Sequence, residues 1–146
     1  MGITSRRVFK TLPALLLIAG SLFASVASAA NYYADFGGKA GMTVVTDKFV
    51  DRVLQDQRIA GYFAQADIPN LKEQLAIQFC MLLNGPCKYD GPSMQRVHQD
   101  MGVTQAAFNS LAEDLIYVMK QQHVPIAAQN ALIKKLAPME HAIVAQ

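Results

Sequence analysis

From about residue 31 onward, apolar residues recur at spacings of three and four, and nowhere do they alternate as a half-buried strand requires. Met42, Val45, Phe49 and Val53 fall on one face of a predicted helix from about Gly41 to Gln55, with Val50 and Leu54 widening that face. Gly37–Gly38 separates it from a short first helix. "RIAGYFAQAD" reads as an irregular connection. A third helix begins at Asp67, a good cap, with Pro69 tolerated in its first turn. Leu71, Leu75, Phe79 and Leu82 mark its buried stripe, and Asn84–Gly85–Pro86 stops it. A loop and a very short helix carry His98. Thr104 caps a long helix whose apolar face is Phe108, Leu111, Ala112, Leu115 and Met119, closed by "HVP". Pro125 opens the last helix, with Leu132, Leu136 and Met139 as its stripe and a bend expected at Pro138. The expected fold is all-α.

The third helix breaks its own pattern. Gln74 and Gln78 lie on the buried stripe, and a buried amide without a partner costs about 1–3 kcal/mol. Either both amides turn along the helix edge to water, or something polar or a cavity lies opposite. His98, in "MQRVHQDMG", has three readings: metal ligand, catalytic base or surface residue. Phe63, Met94, Met101, Val103 and Phe108 would supply large apolar surface around it. A flat apolar cofactor with a metal at its centre meets these demands, with a neutral imidazole binding iron from one side and the other side open to a small ligand.

The first 29 residues change the picture of charge. Arg6, Arg7 and Lys10 precede an uncharged run from Leu12 to Val26, and Ala27–Ser28–Ala29 is a small-residue cleavage site. That pattern predicts a secretory signal peptide over 1–29 and a single domain over 30–146. The competing reading is an uncleaved membrane anchor, a run that Pro13, Gly20 and several serines dilute. "SRRVFK" resembles a twin-arginine export signal, although Lys10 stands where leucine is usual; a general secretory signal is the equal alternative. Three of the 13 basic residues and none of the 11 acidic ones lie in this segment, so the remainder carries ten against eleven and a formal charge of −1. Nothing then points to nucleic acid as a partner, and no stable membrane span is expected after cleavage.

An exported, periplasmic protein can pair its cysteines, and Cys80 and Cys87 flank the predicted chain reversal. A disulfide is expected, with two buried free thiols as the alternative. No C-x-x-C-H is present, which argues against covalent haem attachment, and two cysteines make a poor zinc site. His123, His141 and the pair Glu113–Asp114 read as solvated. No Ser-His-Asp order or phosphate loop is convincing.

With these residues in place, the chain resembles the group 1 truncated haemoglobins. The resemblance rests on "FGGKAGM", "DKFVDRVLQDQRIAGYF", "NGPCKYDGPSMQRVHQDMGV" and "HVP" in that order. It implies a two-on-two helical sandwich around non-covalent haem b, with His98 as the iron ligand. Phe63, Tyr89, Met94, Val103 and Phe108 would contact the haem, Leu71, Leu75 and Phe79 would line it from the third helix, and Lys72 would meet a propionate. Val50 stands where many members carry a tyrosine that donates to bound oxygen, and Leu71 and Leu75 stand where polar residues are frequent. Gln74 falls where some members supply a sixth iron ligand. Gln74 and Gln78 are the nearest polar groups left. The implied function is binding of O2, NO or CO in a largely apolar distal pocket. Oxygen should leave quickly, which argues against storage. NO dioxygenation or peroxidase-like chemistry with an unidentified redox partner, haem carriage, and a haem-free helical interaction protein are the competing classes.

Overall fold

The computed structural model describes residues 1–2 and 30–144, so the predicted signal peptide lies outside the described residues. Among the described residues all regular structure is helical: α1 (Tyr32–Asp35), α2 (Gly38–Val53), α3 (Ile68–Leu82), α4 (Met94–His98), α5 (Gln105–Gln121), α6 (Ile126–Leu136) and α7 (Glu140–Ile143). Two 3-10 turns, Ala60–Phe63 and Ala137–Met139, interrupt the order. None of these helices is long and apolar enough to cross a membrane.

Local chemistry sets the boundaries. Asn31, Asp67, Ser93 and Thr104 each accept a backbone N–H at the start of α1, α3, α4 and α5. Gly37 takes φ +83° to turn α1 into α2. Gly41 allows α2 to touch the end of α1, because a Cβ there would stand 1.8 Å from the Phe36 carbonyl oxygen. Asn84, at φ 60°, turns the chain out of α3 as the asparagine-glycine stop predicts. Pro138 breaks the last helix rather than bending it: α6 stops at Leu136, and α7 starts beyond the turn.

The α2–α3 pair packs on the α5–α6 pair, the two-on-two arrangement. The core between them holds Met42, Val45, Phe49, Val53, Phe79, Leu115, Met119 and Leu132, all nearly inaccessible. The Phe49 and Phe79 rings meet at 6.3 Å between centroids. Asp114 corrects its expected place on a solvated face. It is 1 % exposed and accepts from Arg52 Nε at 2.6 Å, while the Arg52 guanidinium lies 3.8 Å over the Tyr117 ring. This pair ties α2 to α5. Cys80 and Cys87 are joined by a disulfide, with Cα atoms 5.8 Å apart.

Candidate functional site

Helix α4 owes its five residues to a Ser93 cap, whose Oγ accepts from Arg96 N at 3.3 Å. Tyr89 steadies the preceding loop by donating its hydroxyl to the Pro92 carbonyl at 3.0 Å. Asp100 and Gly102, both at positive φ, turn the chain away after His98. The half-buried His98 places Nδ1 2.8 Å from the Met94 carbonyl oxygen. A carbonyl only accepts, so Nδ1 carries the hydrogen and Nε2 keeps a lone pair for a metal.

His98 borders three adjoining cavities. The largest, about 330 Å³, lies between α2, α3 and the segment leading into α4. Val50, Phe63, Leu71, Gln74, Leu75, Gln78, Tyr89 and Met94 all line it. A second, about 150 Å³, runs toward α5 and α6 and takes in Phe79 and Phe108. A third, about 50 Å³, takes in Phe63, Val103 and Phe108. The structure therefore brings together the sequence-predicted site residues with one departure. Lys72 borders none of the three; its ammonium pairs with Asp51 at 2.7 Å and approaches Asp47 at 3.9 Å on the outer face of α2 and α3. Aspartates one and two turns along the facing helix outcompete the expected position at the cavity mouth.

The two glutamines face the cavity rather than water, but they differ. Gln78 is 6 % exposed and donates Nε2 to Met94 Sδ at 3.5 Å. Gln74 leaves its Oε1 buried without a partner. Phe49 and Leu111 also line the cavities and were missed as site residues. Their signal lay in the sequence, since both sit on the apolar stripes of their helices, but stripe position does not separate core from cavity wall.

The donor set is one imidazole with a free Nε2, apolar walls and an orphaned amide oxygen. Among the described residues no three His, Cys, Asp or Glu side chains gather to hold a bare metal ion. The arrangement fits a flat apolar group whose metal takes a single protein nitrogen, held in place mainly by burial.

Residues 31–145 match the bacterial-like globin family, and the chain belongs to it. The group 1 truncated haemoglobin GlbN of Mycolicibacterium paratuberculosis is 31 % identical over 113 residues, 77 % of this chain and 83 % of that protein. The crystal structure of truncated haemoglobin from Tetrahymena pyriformis in its Fe(III) form superposes with a TM-score of 0.76 at 26 % identity, covering 80 % of this chain and all of that one. The 2/2 haemoglobin of a Synechococcus species, solved with covalently attached haem, gives 0.71 at 25 % identity over 77 % of this chain and 95 % of its own.

Proposed function

We propose that the cavities at His98 hold haem b without a covalent link, and that the protein binds a diatomic ligand, O2, NO or CO, at the iron. The observation that carries the reading is the Nδ1–Met94 hydrogen bond, which fixes the tautomer whose Nε2 can ligate. Bound haem would supply an iron with one axial position left for a small ligand. Phe63, Leu71, Leu75, Phe79, Tyr89, Met94 and Phe108 would exclude water from its faces, with Val103 packed behind His98. Val50 offers no hydrogen on the ligand side. Gln74 is the amide in reach of the cavity that no protein group engages. Lys72 would have to leave Asp51 to meet a propionate.

Both cysteines are consumed by their disulfide, and C-x-x-C-H is absent, which favours a non-covalent cofactor. The same disulfide supports an exported, periplasmic protein, since such bonds persist in oxidising compartments. Absorption spectra of ferric and ferrous full-length protein, with and without CO, test the reading. A Soret band that shifts on reduction and again with CO supports it, and purified protein that takes up no haem overturns it.

A further inference from the structure

Helix α4 carries the imidazole of the site yet spans only Met94–His98 and buries no residue fully. So short a helix is not stable alone. The His98 ring is oriented by the Met94 carbonyl, so whatever holds Met94 also holds the imidazole. Among the described residues, a single side-chain hydrogen bond joins α4 to another helix: Gln78 Nε2 donates to Met94 Sδ at 3.5 Å. Gln78 comes from α3, which forms a different wall of the cavity, and it is 6 % exposed. An apolar side chain of similar volume would fill that place without desolvating an amide. Gln78 caps no helix and joins no ion pair. The thioether is a weak acceptor, so the bond gives direction more than stability.

We propose that Gln78 is a positioning residue for His98, setting the pose of the iron-ligating imidazole through Met94. The consequence for iron rests on the haem reading above, whereas the tie itself exists without haem. It reassigns Gln78 from a free donor on the ligand side to a link between α3 and the helix that holds the metal. A displacement of α3 by anything bound against Leu71, Gln74 or Leu75 would thereby reach His98.

The test uses full-length protein and a double-mutant cycle of Gln78→Leu and Met94→Leu, which removes donor and acceptor in turn and spares the Met94 carbonyl. In haem-free protein, the His98 imidazole ¹⁵N signals should move toward a mixture of tautomers in each variant. In haem-loaded protein, the ferrous iron–histidine stretching band should shift, and haem transfer to an acceptor apoprotein should speed up about three- to tenfold. The double variant should do no more than the stronger single one. Thermal stability should hold or rise with Gln78→Leu, which a merely structural role would not allow. Unchanged imidazole signals and an unchanged band in folded Gln78→Leu overturn the proposal, as do additive effects. Should Gln78→Leu fail to fold, Met94→Leu decides alone by the same two signals. A chain without a Soret band would defeat the haem reading, and the ¹⁵N signals would still decide the tie.

Discussion

Val50 is 1 % exposed and lines the cavity beside Gln74, on the side where a bound diatomic would sit. A valine cannot donate a hydrogen bond, and a bound oxygen that gains partial negative charge is held longer when a donor faces it. Val50→Tyr should therefore slow oxygen dissociation by about tenfold or more, the worth of one hydrogen bond to a charged acceptor, and stopped-flow mixing reads it directly. A wild-type off-rate slower than that of Val50→Tyr would show that another donor already occupies the pocket. Much of the site was legible at this scale. The glutamines broke the apolar stripe and so signalled the cavity. What periodicity could not tell was that one amide would find a sulfur 16 residues on while the other would find nothing. Lys72 was misplaced for a related reason: its partners Asp51 and Asp47 are 21 and 25 residues away, and only the packing of α2 on α3 brings them within reach.

The elements were easier to read than their partners. Capping residues and the Asn84–Gly85–Pro86 stop act within a few positions, so α3 and α5 begin where the sequence says, and α3 ends within two residues of its stop. Asp114 shows the limit, because its burial depends on Arg52 and Tyr117 arriving from elsewhere. The disulfide belongs to this scale too. It spans seven residues across the end of α3 and opens onto the segment that carries Tyr89, Pro92 and α4. Cys80→Ser/Cys87→Ser should lower unfolding stability by about 2.5 kcal/mol, the loop-entropy value for so short a ring, measured by urea unfolding. It should also hasten haem loss, since the α4 approach loses its anchor. Equal stability and equal haem retention would mean that the bridge braces nothing.

For the molecule as a whole, charge links the α2–α3 connection to α5. Arg58 donates to Asp56 at 2.7 Å and to Glu113 at 2.8 Å across the surface of the sandwich. The Arg58 guanidinium holds the Asp56 carboxyl down from 3.8 to about 2. Because the folded state prefers the ionised form, the contribution is complete above about pH 4 and is lost as pH falls toward about 2. Asp56→Asn should flatten the stability profile between those two values and leave it unchanged in slope above pH 5, as chemical denaturation across pH would show. An unaltered acid limb would mean that the pair is equally formed in the unfolded chain. Full exposure keeps the effect small, so the variant should remain folded at neutral pH.

The account turns on one bond, between His98 and iron. His98→Ala should leave the helical sandwich intact, because the side chain is only half-buried, and should remove most haem. The direct measurement is the haem-to-protein ratio and Soret band of purified His98→Ala beside wild type, His123→Ala and His141→Ala. The account predicts loss in His98→Ala alone. Full haem and an unchanged spectrum in His98→Ala, with loss in His123→Ala or His141→Ala, would contradict it.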